Sequence, residues 1–287
     1  LSAFSPFEIA FFRYTLYGII SGIFLVYRRK KIFKTKKIFK TSIVFSLSSN
    51  ILYYIFLVFG MRLAGEEISV VIIGIIPLTV TYFGNLTEKN LPVKKIAFPL
   101  FSICVGLLIV NIVRTGILQR EINVSITGYF CLFGSMALWT WYGVANTNFL
   151  KNNPQISSID WANATGISTL FVMLLLAIPF AVLFYDFERF TNLIKSLLVK
   201  EYAIHFFVLA FFPSFLAGIL WNMASKILPI SVSGQLIVME TVFGLIYIYL
   251  SKKEIPSFFE ILGISLILFG IRYSLVIFKK HMHAEGY

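Results

Sequence analysis

The stretch Leu86–Pro92, LTEKNLP, returns 164 positions later as Leu250–Pro256, LSKKEIP. The same shift lays Ser69 on Ser233, Lys89 on Lys253 and Gly106 on Gly270. Each copy reads as an apolar helix, a short Lys-x-x-Pro connector and a second apolar helix with a glycine midway. Two membrane-embedded half-units in one chain suggest a transporter made of duplicated halves.

Composition sets the solvent. Of 287 residues, 58% are hydrophobic and only 13% charged, with a mean hydropathy of +0.85. Soluble domains carry about one-quarter charged residues, so this chain needs the bilayer around it. Most of its 31 phenylalanines suit lipid-facing positions. The formal charge of +12 does not point to nucleic acid, because much of it sits in one block between two spans. Cys104 and Cys131 fall inside apolar segments and are expected to pack without forming a disulfide.

Nine spanning segments are expected, at 6–27, 41–62, 67–86, 95–113, 125–149, 158–184, 202–225, 229–250 and 257–278. Each approaches the roughly 20 residues that cross the hydrocarbon core. Orientation follows from lysine and arginine. The segment 28–40, RRKKIFKTKKIFK, holds eight positive charges and belongs in the cytoplasm. With it, the cytoplasmic side carries 15 Lys and Arg against eight outside, and the C-terminus is cytoplasmic. Lys252 and Lys253 run against this bias. The helix at 67–86 then runs inward and its repeat partner at 229–250 outward, so the halves are inverted. The expected fold is an all-α integral membrane protein with five-plus-five inverted halves, one in residues 1–113 and one in 125–280. The first helix of ten is expected to precede Leu1 or to have been lost.

The opening Ser5-Pro6-Phe7-Glu8-Ile9-Ala10-Phe11-Phe12-Arg13, with five-plus-five inverted halves, resembles the EamA-type family of the drug/metabolite transporter superfamily. Ala137-Leu138-Trp139-Thr140-Trp141-Tyr142 with Asn146, Trp221-Asn222-Met223-Ala224-Ser225, and Gly234-Gln235-Leu236-Ile237-Val238-Met239-Glu240-Thr241 are similar to a bacterial subgroup of it. The resemblance covers the chain apart from the first helix. It implies a multi-pass protein of the bacterial inner membrane that exports small metabolites, amino acids among them, with no cofactor.

Polar residues within the spans are the candidate site. A mid-span carboxylate costs a few kcal/mol on insertion scales. Glu240 is therefore expected to bind a substrate ammonium group or carry a proton, the alternative being a pair with Arg272 or a protonated helix contact. Arg13 poses the mirror question, a substrate carboxylate against a helix tether or a side chain snorkelling to the interface. Ser135, Trp139, Tyr142 and Asn146, spaced 4, 3 and 4, share one helical face. Similar faces hold Asn222 with Ser214, Gly218 and Ser225, and Asn50 and Tyr53 with Ser46 and Tyr54. Thr79 lies beside Pro77, and Gln235 precedes Glu240 on the same span. Together they predict a polar, aromatic-rich cavity suited to a zwitterion with an apolar side chain; ordinary helix packing is the alternative for each stripe.

Nothing predicts enzymatic chemistry. His205, His281 and His283 lack metal-ligand spacing, and no glycine-rich phosphate loop is present. Glu8, Asp160, Asp186 and Glu188 lie near span ends and are expected in solvent. Gly18-x-x-x-Gly22 reads as a close helix contact. The competing functions are a non-transporting membrane interaction protein derived from a transporter, and a membrane-embedded transferase, which would need an acidic or histidine cluster at a membrane face. Proton coupling and a homodimer stay open.

Overall fold

The computed structural model describes residues 4–28, 36–88, 92–115, 125–184, 195, 199–253 and 255–284. Asp186, Glu188, Lys89 of the first connector, most of the basic stretch 28–40 and the side chain of His283 lie outside the described residues. Every described element is a helix. They are α1 Pro6–Tyr27, α2 Lys36–Ser46, α3 Leu52–Ala64, α4 Glu66–Ile73, α5 Ile76–Glu88, α6 Val93–Thr115, α7 Ile126–Asn152 and α8 Ser158–Phe184. Then come α9 Lys200–Ala210, α10 Ala217–Ile227, α11 Ile230–Ile237, α12 Met239–Lys252 and α13 Phe258–Ala284. Short π-helical segments, Leu47–Ile51 and Phe211–Leu216, join α2 to α3 and α9 to α10.

Eight continuous helical stretches are long and apolar enough to cross a membrane, and they fall on eight of the nine expected spans. The ninth, α7, has 27 residues, ample length to cross. Its Ser135, Thr140, Asn146, Thr147 and Asn148 keep it less apolar than the rest.

Local chemistry explains where the helices start and bend. Ser5 and Glu8 form a capping box at α1, with Ser5 N–H donating to Glu8 Oε2 at 2.6 Å and Pro6 in the first turn. Ser257 and Glu260 repeat this box at α13. Glu8 is therefore buried rather than in solvent, because its carboxylate satisfies the helix start. In the first π-helical segment, the Ser48 and Ser49 hydroxyls both donate to the Phe45 carbonyl and compete with the backbone for it. In the second, Pro213 brings no N–H to the ladder, and the Ser214 hydroxyl donates to the Leu209 carbonyl.

The repeat shift of 164 organises these irregularities. It carries the π-helical segment at 47–51 onto the one at 211–216, α4 onto α11, α5 onto α12, and α6 onto α13. It also carries Gly74, where one span is interrupted, onto Val238, where its counterpart is. At the first break Ile75 N–H bonds to the Ile72 carbonyl, a tightened turn just ahead of Pro77.

The chain packs as two compact units that mix the sequence halves. One comprises Leu1–Ile55 and Asn146–Lys226, the other Phe56–Ala145 and Ile227–Tyr287. The first unit centres on α1 against α8, with Tyr14, Tyr17, Ile51, Met173 and Phe215 in its core. A Cβ on Gly18 would lie 2.3 Å from Leu170 Cβ, so the expected close contact forms there, while Gly22 faces open space. The second unit centres on α6 against α13, with Ile103, Val110, Val238 and Ile267 buried between its helices. Outside these cores, side chains such as Phe101, Phe130, Phe243 and Phe258 are exposed, as a lipid-facing surface requires.

Candidate substrate site

In the first unit, Arg13 reaches the second π-helical segment. Its Nε donates to Ser214 Oγ at 2.9 Å and its Nη2 to the Pro213 carbonyl at 3.4 Å. Its guanidinium also lies 5.2 Å from the Tyr14 ring centroid, and Tyr14 packs edge-on against Tyr54. Every one of these contacts is neutral. Of the two roles posed for Arg13, these contacts are those of a tether, and they land where the π-helical turn frees a carbonyl. Asn50 mirrors this in the first π-helical segment, since Asn50 and Ser214 are repeat counterparts. Its Nδ2 donates to Thr169 Oγ1 at 3.0 Å, and Ser46 bonds the same hydroxyl at 2.7 Å. Tyr53 is half-buried one turn on.

Asn146 and Asn222 come together. Asn146 Nδ2 donates to Asn222 Oδ1 at 3.0 Å, and Asn146 Oδ1 accepts from Trp161 Nε1 at 2.8 Å. Asn222 Nδ2 continues the chain to the Ser158 carbonyl at 3.4 Å. All three side chains are buried. At the end of α8 nearby, Arg28 pairs with Asp160 at 2.9 Å. Asp160, expected in solvent, is consequently buried, because α1 supplies its counter-ion. Lys226 caps the same turn, donating to the carbonyls of Pro154 and Ile156.

In the second unit, Thr79 Oγ1 bonds Thr140 Oγ1 at 2.7 Å and donates to the Ile76 carbonyl at 2.9 Å. Thr79 also lines a shallow groove with Leu78, Tyr82, Leu100 and Phe101. Trp139 and Tyr142 pack edge-on, their centroids 6.2 Å apart, both half-buried, while Trp141 on the opposite face is exposed. On α11, Ser231, Ser233 and Gln235 are buried, and neither Gln235 polar atom has a hydrogen-bond partner among the described residues. Buried polar groups are nearly always bonded, so this row has capacity for a ligand or water. Glu240 lies in the first turn of α12, directly after the break, with an exposed side chain. It makes no ion pair with Arg272, which is exposed on α13.

The ten expected residues thus divide evenly. Arg13, Asn50, Tyr53, Asn146 and Asn222 belong to the first unit, and Thr79, Trp139, Tyr142, Gln235 and Glu240 to the second. Sequence reasoning missed Trp161 and Thr169, the α8 groups that engage Asn146 and Asn50. The run Thr165-x-x-Ser168-Thr169 in an apolar span was the available signal. Trp161 carried none, since hydropathy treats a tryptophan near a helix start as an interface residue.

Residues 1–112 match the EamA-like transporter family. The chain is 29% identical over 238 residues to the inner membrane protein YtfF of Escherichia coli (strain K12), covering 79% of this chain and 72% of that protein. It is also similar to a protein of known crystal structure at 15% identity, with a TM-score of 0.73 over 97% of this chain and 90% of the other.

Proposed function

We propose that this chain, which belongs to the EamA-like transporter family and is a multi-pass membrane transporter rather than an enzyme, exports a small zwitterionic metabolite such as an amino acid by alternating access. One observation carries the mechanism: symmetry-related helix pairs are packed unequally. In the second unit, α5 lies tightly along α11. A Cβ on Gly84 would lie 2.3 Å from Ile230, and one on Gly234 only 2.7 Å from the Thr81 backbone nitrogen. The repeat maps this pair onto α12 and α4, and those two helices make no comparable seam. Inverted halves that differ in this way support a molecule resting in one of two related states.

The lysine and arginine bias assigns the packed seam to the cytoplasmic side, with the C-terminus. The arrangement is then closed inward and open outward. Residues 1–113 and 125–280 act as the inverted halves. Arg13, Asn50, Tyr53, Thr79, Trp139, Tyr142, Asn146, Asn222, Gln235 and Glu240 are the proposed substrate set. Glu240 would take the substrate ammonium group or the coupling proton, and the unpartnered Gln235 a carboxylate or amide. Counterflow in proteoliposomes with labelled amino acids tests the reading. Exchange of one or a few, lost in Trp139→Ala, supports it. A folded protein that exchanges none of them sinks the amino-acid assignment.

A further inference from the structure

The α5–α11 seam ends in a bond whose mirror image the sequence also provides. Glu88, the last residue of α5, accepts the N–H of Ile230, the first residue of α11, at 2.7 Å. A carboxylate is favoured there by the partial positive charge of a helix start. Moved by the repeat shift, Glu88 becomes Lys252, the last residue of α12. Ile230 becomes Glu66, the first residue of α4. The anion has become a cation, and the residue it meets has become an anion. Here Glu66 and Lys252 are both exposed, and neither is in an ion pair with another described residue.

Packing says why such a pair is needed. The closed seam depends on Gly84 and Gly234, whose missing side chains let the backbones approach. Their repeat counterparts are Ile248 and Val70, so α4 and α12 cannot approach as closely. Loss of backbone proximity leaves charge attraction at the helix ends as the available fastening. Lys252, one of the two lysines that violate the charge bias, then has a purpose, since the repeat-related pairing sets it against Glu66.

We propose that Glu66 and Lys252 are positioning residues of the transport cycle, forming the ion pair that holds the outer end shut when the cytoplasmic seam opens. The proposal rests on the alternating-access reading.

The test uses paired spin labels at Leu63, at the outer end just before Glu66, and Tyr247, both exposed, in a chain with Cys104 and Cys131 replaced by alanine, reconstituted in liposomes. Distance distributions are recorded for this background, for K252E and for E66K/K252E. The expected background has a main long distance and a minor short one. K252E should cut the short population about fivefold, as loss of one exposed pair allows, and the double swap should restore it. The long peak, kept in every variant, serves as the control for folding. A short population that ignores K252E, or that the swap does not restore, overturns the pair while leaving alternating access standing. Absence of any short population in the background overturns both.

Discussion

Ser102 on α6 donates its hydroxyl to the Leu266 carbonyl on α13 at 2.8 Å, and the two residues are counterparts under the 164-residue repeat. A contact between counterparts marks a local two-fold axis. The flanking contacts obey the same symmetry. A Cβ on Gly106 would meet Ile267, and one on Gly270 would meet Ile103, where both the glycines and the isoleucines are repeat pairs. This is the reciprocity of a symmetric dimer interface, residue i on j and j on i, realised inside one chain.

Gly106→Ala and Gly270→Ala should therefore destabilise the protein similarly. Each new Cβ would fall within 2.8 Å of a carbonyl oxygen, that of Gly263 or Pro99, which belongs to backbone and cannot rotate away. Overpacking of this kind costs ~1–3 kcal/mol. Thermal unfolding in detergent would read it, with Gly244→Ala as the control, since nothing lies within 4 Å of that position. Equal stability of all three variants would remove the axis from the account.

Asn146→Ala should destabilise more than Trp161→Phe. The first strands two groups, the Trp161 indole N–H and the Asn222 carbonyl oxygen, and the second strands only Asn146 Oδ1. Each orphaned buried polar group costs ~1–3 kcal/mol. Measuring unfolding and counterflow together separates the roles of Asn146. A variant with unchanged stability and no transport would make it a ligand-binding group alone; a lowered midpoint makes it a brace for the site.

Hydropathy alone located the spans well, because the bilayer demands about the same apolar length everywhere. The expected 202–225 became Lys200–Ile227, and 229–250 became Ile230–Lys252. The breaks inside spans were less legible. Pro77, which brings no N–H to the ladder, follows the first, but its counterpart turns at Val238, a residue with no helix-breaking chemistry. The α7 stripe was readable as a face because helical period is local. The bonds of Asn146 were not, since they depend on Trp161 and Asn222 arriving from other helices. Whether Arg13 or Asn50 meets a ligand or a helix turns likewise on where the π-helical segments fall.

Glu240→Gln tests the coupling role. Gln keeps the shape and the hydrogen-bonding capacity but cannot ionise. Because Glu240 is in no ion pair with another described residue, its loss of charge should leave folding intact. Transport should fall at least tenfold or lose its dependence on a pH gradient. Unchanged rate and unchanged pH dependence would move the coupling away from this residue.

Gly234→Ala should bias the protein toward the cytoplasm-open state. The added Cβ would lie 2.6 Å from Thr81 Oγ1 and 2.7 Å from the Thr81 nitrogen. The hydroxyl can rotate, but the backbone of α5 has to move, so the seam loosens where it is tightest. The same substitution at Gly244, which meets nothing, has no reason to act. Placing a cysteine at Ser231, buried on α11, turns the bias into a rate. Labelling by a membrane-impermeant maleimide in inside-out vesicles should accelerate several-fold in the Gly234→Ala background. It should stay slow in right-side-out vesicles, because the seam faces only one compartment. Faster labelling from the outer side would reverse the assigned orientation. Equal labelling with and without the substitution would mean that the α5–α11 seam is not a moving boundary.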